Sequence, residues 1–155
     1  MKADNPAKHF VFAFVLALII YAVFYRGIEY RRVRKGPWRV TFTSNSSGEP
    51  ALIIHQPWLA ITNVEIGFAG QTLASTNPSD TFAFRNPRPV PFDVPFGKCI
   101  FMDSTFLPGT LTFSMFGHEI ELLPRVLMID HEEYPWRAGA TFNLRPAREE
   151  RAQPR

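Results

Sequence analysis

Cysteine is nearly absent from this sequence, which contains Cys99 and no other cysteine. No disulfide can therefore form within the chain, and cysteine-rich metal frameworks are excluded. Cys99 lies in the apolar stretch of residues 97–102, where a buried and unreactive thiol is the expected state. The core of this protein must be held together by packing alone.

The sequence also lacks the short motifs that mark common catalytic sites. It contains no Gly-x-Ser-x-Gly elbow, no phosphate-binding glycine loop and no His-Glu-x-x-His helix. Its carboxylates are scattered, so no pair is assigned acid and base roles. We therefore expect neither catalytic residues nor a cofactor, and we expect that the protein is not an enzyme.

A basic folded face, which nucleic-acid binding requires, is missing as well. The net charge is +3, but residues 26–39 contain six basic residues and one acidic residue, whereas residues 40–136 contain ten carboxylates and only four basic residues. The body of the chain is acidic and the basic charge is concentrated in one short segment. This distribution argues against a nucleic-acid-binding domain.

The chain does contain one long hydrophobic stretch, at residues 10–25. It is uncharged over 16 residues and as a helix would span about 24 Å, the short end of the range for crossing a bilayer. A cleaved signal peptide is the alternative, but the stretch ends without the small-residue pattern of a cleavage site. We predict a transmembrane helix at residues 10–25 after a short tail at residues 1–9.

The basic juxtamembrane segment, residues 26–37, sets the expected orientation. Two lysines precede the apolar stretch and six basic residues follow it closely. Basic flanks stay in the cytoplasm, so we expect a single-pass protein, in a bacterial inner membrane, whose C-terminal domain is cytoplasmic. Arg31, Arg32, Arg34 and Lys35 serve either as topology determinants or as contacts to lipid headgroups.

Residues 38–144 are predicted to form one all-β domain. Apolar and polar residues alternate with period two in several short stretches separated by turns. An antiparallel β-sandwich of seven to nine strands is the preferred fold, with a small β-barrel as the runner-up. The charged tail, residues 145–155, is expected to be flexible. The predicted strands lie near residues 38–43, 51–55, 61–68, 82–84, 98–103, 110–115, 119–122, 126–130 and 141–144.

Three local patterns refine this prediction. Pro87, Pro89 and Pro91 recur at every second residue, which removes donors from one side of the backbone and predicts an edge or a crossover between sheets. Residues 98–103 are apolar on both faces, as in a central strand. Gly117-His118 separates two alternating stretches and predicts a tight hairpin with a type II′ turn.

One histidine-containing cluster is a weak candidate metal site. His131, Glu132 and Glu133 follow Asp130 directly, but side chains of adjacent residues diverge, so their spacing suits a metal poorly. His118 is expected to be solvated in its hairpin turn. His55, at a strand end, is expected to pack or to cap.

Trp38, Trp58 and Trp136 are candidate interface residues, because exposed tryptophans are favoured at binding surfaces. They can equally be core residues, and Trp38, just after the basic segment, can lie at the membrane interface.

These features favour a non-catalytic accessory, structural or assembly subunit of a larger complex, with the lipid bilayer and integral membrane proteins as partners. The alternative is a membrane-tethered module whose β domain binds a small ligand or peptide in an apolar pocket. A hydrolase or metal enzyme that uses His131 is the remote alternative.

Overall fold

The computed structural model describes residues 6–72 and 79–146. Most of the predicted tail at residues 145–155 and half of the predicted loop at residues 69–80 lie outside these ranges. Within them the chain forms one α-helix, one short 3-10 helix and eleven strands.

The helix α1 runs from Pro6 to Val33 and is longer at both ends than the apolar stretch. It continues past Tyr25 because no proline follows until Pro37 and the isolated Gly27 is tolerated within the helix. Gly36 has a positive φ of 72°, and its N–H bonds the Val33 carbonyl at 3.0 Å, which ends the helix. By length and composition α1 can cross a membrane, a property that it shares with N-terminal signal sequences.

The strands form two sheets, and the structure is consistent with the predicted sandwich. The first sheet has the order β11-β3-β2-β1-β4 and the second the order β10-β9-β8-β7-β6-β5. Pairing is antiparallel except between β11 and β3. The strands are β1 (Trp38–Ser44), β2 (Pro50–Gln56), β3 (Ile61–Phe68), β4 (Asp80–Phe84), β5 (Phe92–Val94), β6 (Gly97–Asp103), β7 (Thr110–Met115), β8 (His118–Leu122), β9 (Val126–Ile129), β10 (Glu132–Pro135) and β11 (Thr141–Leu144).

The core is dominated by aromatic rings and aliphatic side chains from both sheets. Phe42 of β1 makes edge-to-face contacts with Phe82, Phe96 and Phe113, at centroid distances of 5.4, 5.5 and 6.4 Å. Such pairs add about 0.5–1.5 kcal/mol to the stabilisation from area burial. Packing between the two sheets therefore stands in for the disulfide that the cysteine content excludes. Cys99 is part of this core, and burial raises the pKa of its thiol to about 11, so it stays protonated at neutral pH.

The proline segment is a crossover between the sheets, as predicted. It connects β4, an edge strand of the first sheet, to β5, an edge strand of the second, and residues 85–91 are exposed. The N–H donors that its prolines lack are not needed there, because the segment pairs with no strand.

Residues 98–103 are not buried on both faces, as a central strand would be, although β6 lies between β7 and β5. Ile100 is 38% and Phe101 49% exposed, because a bulge between Cys99 and Phe101 shifts the register and the outer face is uncovered. The alternation of β3 is also interrupted, since Ile61 is buried and Thr62 half-buried. The register against β2 shifts between Ile54 and Gln56, and the positive φ of Asn63, 51°, breaks the alternation.

The β7–β8 hairpin turns one residue earlier than predicted. Phe116 and Gly117 form its loop, both with positive φ, 50° and 82°, and His118 is the first residue of β8. Two positive φ values define a type I′ turn instead of type II′. A similar two-residue loop, Asp130-His131, joins β9 to β10.

Candidate functional site

The connection between α1 and the β domain is pinned by a buried glutamine. Gln56, at the end of β2, is 0% exposed. Its Nε2 donates to the carbonyls of Lys35, Gly36 and Pro37, at 3.1, 3.0 and 3.1 Å. The two N–H groups of one amide are therefore shared among three of the four carbonyls of the linker, residues 34–37, and tie the linker to β2.

A second contact holds the end of α1 from the opposite sheet. The Leu107 N–H donates to the Arg32 carbonyl at 2.8 Å, and Leu107 is itself buried. Trp38 Nε1 donates to the Gly109 carbonyl at 3.0 Å. Residues 104–109, which connect β6 to β7, are thus tied to the last turn of α1 and to the first residue of β1. We call these two contacts and the Gln56 bonds the helix–domain junction.

Trp58 lies beside this junction on the 3-10 helix η1 (Pro57–Leu59). Its backbone N–H donates to Gln56 Oε1 at 2.9 Å, so the same amide that fixes the linker fixes η1. The Arg34 guanidinium carbon lies 5.7 Å from the centroid of the Trp58 ring, within range of a cation–π interaction.

All three tryptophans fall within the described residues, but their environments differ. Trp38 is fully buried, because β1 begins at Trp38 and carries its ring inward; of the alternatives open for this residue, the fold adopts the core position. Trp136 is half-buried, its ring 5.4 Å from that of Trp38, and its Nε1 donates to the Leu123 carbonyl at 2.8 Å. Trp58 is 60% exposed and stays available for contact.

The basic residues of the junction remain at the surface. Arg31, Arg34 and Lys35 are exposed, and Arg32 lies 3.5 Å from Glu29 in a solvent-accessible ion pair, a kind of pair worth at most about 1 kcal/mol. Among the described residues, Arg31, Arg34 and Lys35 take part in none of the ion pairs.

The weak metal candidate is rearranged by the fold. The structure brings His131 together with Glu119 and Glu121 of β8, with ligand atoms within 4.8 Å of one another. Glu132 and Glu133 are not in this group, and Glu132 instead accepts a bond from the Tyr134 hydroxyl at 2.7 Å. Glu119 and Glu121 share one face because they are two residues apart on a strand, a spacing that was visible in the sequence.

His118 is buried, contrary to the expectation of a solvated turn residue. Its Nδ1 lies 2.6 Å from Asp130 Oδ2 and its Nε2 lies 2.8 Å from the Arg145 carbonyl. Asp130 Oδ1 also accepts the Glu119 N–H at 2.9 Å. His118 therefore links the β7–β8 hairpin to the end of β11 in the other sheet and has a structural role. His55 lies in β2, half-buried and opposite Arg39 of β1.

An open depression of about 300 Å³ adjoins His118. It is lined by polar groups rather than by the apolar walls that small-molecule pockets usually present. Its lining residues are Ser114, Gly117, His118, Glu119, Asp130 and His131.

No family model, no curated protein and no solved structure matches this chain.

Proposed function

We propose that this chain is a non-catalytic, single-pass membrane protein that serves as an accessory, structural or assembly subunit of a larger membrane complex. Support comes first from α1, none of whose residues is buried within the described structure. Its Phe, Leu and Ile side chains are free to contact lipid and the helices of partner proteins.

The observation that carries the proposal is the helix–domain junction. A module that captures ligands from a tether needs a linker that lets it search, and flexible linkers are rich in Gly and Ser. Here residues 34–37 are the whole linker, Gln56 bonds three of its carbonyls, and Leu107 bonds the backbone of Arg32 just before it. The position of the domain is thus dictated by the helix, which suits a subunit that docks as one rigid body.

The proposal includes the orientation. Basic residues cluster at the end of α1 where the β domain begins, and the positive-inside rule then retains the domain in the cytoplasm. A single buried cysteine fits a reducing compartment.

The test is purification of the tagged full-length protein from its native membrane in mild detergent. We expect an integral membrane partner to co-purify at a constant ratio through two successive columns. The matched variant has a flexible Gly-Ser segment inserted between Lys35 and Gly36. If the rigid junction is what positions the domain, this variant still enters the membrane but loses most of the partner.

Recovery of a lone protein from wild type would overturn the proposal. It would favour the tethered binding module, for which the depression beside His118 is the place to test ligands.

A further inference from the structure

We infer that the face of the β domain next to α1 lies in the headgroup layer of the membrane and binds anionic phospholipid. Trp58 and Phe106 are its aromatic anchors, and Arg34 and Lys35 its phosphate contacts. This inference rests on the proposed membrane anchor, and it adds the lipid as a direct ligand of the β domain.

Exposure singles out these two rings. Trp58 is 60% and Phe106 59% exposed, the highest values for large apolar side chains among the described residues of the β domain. An isolated exposed apolar residue needs no explanation. Both residues, however, adjoin the helix–domain junction: Trp58 through the contact of its ring with Arg34, and Phe106 as the chain neighbour of Leu107, whose N–H bonds the Arg32 carbonyl.

Helix length places the junction at the right depth. The apolar residues 10–25 span about 24 Å, and a hydrocarbon core of about 30 Å extends beyond them by about two residues on each side. If the core is centred on this stretch, residues 31–35 lie about 5–11 Å past its edge, in or just outside the headgroup layer. Trp residues are enriched at that level, and Lys and Arg bind phosphates there.

The charge distribution favours a lipid surface over a protein as the partner of this face. Arg31, Arg34 and Lys35 are exposed at the end of α1, whereas residues 40–136 have ten carboxylates and four basic residues. An anionic leaflet attracts the junction and repels the rest of the domain, so a single orientation is favoured. The Arg34–Trp58 contact holds a cation and an amphipathic ring together, a combination suited to a phosphate layer.

The experiment measures the depth of Trp58 in nanodiscs that contain the full-length protein and no partner. Lipids carrying a nitroxide near the headgroup or deep in the acyl chain quench tryptophan fluorescence locally. The Trp58 component is the difference between wild type and Trp58→Phe, which removes the contribution of buried Trp38 and half-buried Trp136. We expect the shallow nitroxide to quench this component at least about twofold more than the deep one, as at headgroup level.

A lipid comparison supplies the second readout. Quenching by the shallow nitroxide should be stronger in nanodiscs containing phosphatidylglycerol than in pure phosphatidylcholine. Arg34→Gln should reduce this difference, and an unchanged difference would overturn the assignment of Arg34 as a phosphate contact. Lys98→Gln is the charge-matched control, because Lys98 lies at the opposite end of β6 from residues 104–109 and is exposed.

A tryptophan placed within the helix separates this inference from the anchor itself. In Leu18→Trp combined with Trp58→Phe, the deep nitroxide should quench the new residue, because Leu18 lies near the middle of the apolar stretch. Deep quenching there with none at Trp58 would overturn the inference and leave the anchor intact. Absence of quenching at both positions would overturn the membrane anchor. If Trp58 is shielded from solvent in native complexes but not in nanodiscs, this face binds a protein and the inference is overturned.

Discussion

Single side chains decide how the parts of this molecule are joined, and Gln56 is the strongest case. Its Nε2 is the donor for the carbonyls of Lys35, Gly36 and Pro37, and its Oε1 accepts the Trp58 N–H. Nothing in the local sequence distinguishes this residue from a surface glutamine at a strand end. Its importance follows from the fold, which buries it completely.

We expect Gln56→Ala to destabilise the β domain by about 1–3 kcal/mol, since it leaves the buried Pro37 carbonyl and two partly buried carbonyls without this donor. Denaturant unfolding in detergent, followed by tryptophan fluorescence, measures the change. Gln71→Ala is the control at a partly exposed glutamine whose backbone N–H keeps its bond to Phe68. Equal stability of the two variants would show that the Gln56 bonds contribute little.

Glu49 is a second single side chain that contributes to the stability of the fold, and its contribution depends on pH. The Gly70 N–H donates to Glu49 Oε1 at 2.7 Å and Asn45 Nδ2 donates to Oε2 at 3.2 Å. These bonds, first that from Gly70, lower the pKa of the carboxyl below its ordinary value of 4.5. A carboxylate with a lowered pKa in the folded state stabilises the fold above its unfolded pKa, and this contribution is lost as the pH falls through the folded value.

Glu49→Gln should therefore flatten part of the pH dependence of stability below about pH 4.5. Unfolding midpoints of wild type and variant, measured from neutral to acidic pH, should converge as the pH falls. An unchanged difference across that range would contradict a role for the charge. Glu65→Gln, on β3, is the comparison at another partly exposed glutamate.

At the scale of elements, alternation in the sequence predicts strands well and turns less well. The stretch at residues 110–115 became β7 as predicted, because its period of two matches a sheet with one buried face. The hairpin after it was misplaced by one residue, because a type I′ turn at Phe116-Gly117 uses positive φ at a phenylalanine. Composition gives no indication that this residue adopts the left-handed region.

The candidate site was predictable only in part, because its contacts join residues that are far apart in the chain. The basic residues at the end of α1 were identified from the sequence alone, since charge is visible there. The contacts that give them a place in the fold join residues far apart in the chain, such as Leu107 to Arg32 and Gln56 to Lys35. His118 was misjudged because its partner carbonyl, that of Arg145, lies 27 residues away.

The β9–β10 hairpin allows a test of turn chemistry. Asp130 and His131 form its two-residue loop with φ values of 51° and 69°, and type I′ turns strongly prefer Asp-Gly over Asp-His. We expect His131→Gly to raise stability by up to about 1 kcal/mol, because glycine adopts positive φ without steric cost. Thermal unfolding would show this as a higher midpoint.

The same variant tests the remote metal hypothesis. It removes the histidine from the group of Glu119, Glu121 and His131 without the risk of unfolding that a large change in the core would carry. If added Zn²⁺ raises the unfolding midpoint of wild type and not that of the variant, the group binds metal. A lower midpoint for the variant without metal would show instead that the His131 side chain stabilises the turn.

The whole molecule combines an apolar helix, a basic junction and an acidic β domain in that order along the chain. If α1 spans a membrane as proposed, this order favours one orientation, because more basic residues follow the helix closely than precede it. The helix–domain junction would then fix where the β domain lies relative to the membrane.

The orientation can be measured with a site that the chain already carries. Asn45-Ser46-Ser47 matches an acceptor for N-glycosylation, which occurs only on the lumenal side of microsomes. Translated into microsomes, the wild-type protein should remain unglycosylated because its β domain stays outside. Changing Arg31, Arg32, Arg34 and Lys35 to Gln, with arginines added before the helix, should invert the protein and add one glycan.

Ser47→Ala in that background removes the acceptor and confirms the assignment. A glycan on the wild type would place the β domain on the other side, and a shortened product would identify α1 as a cleaved signal sequence.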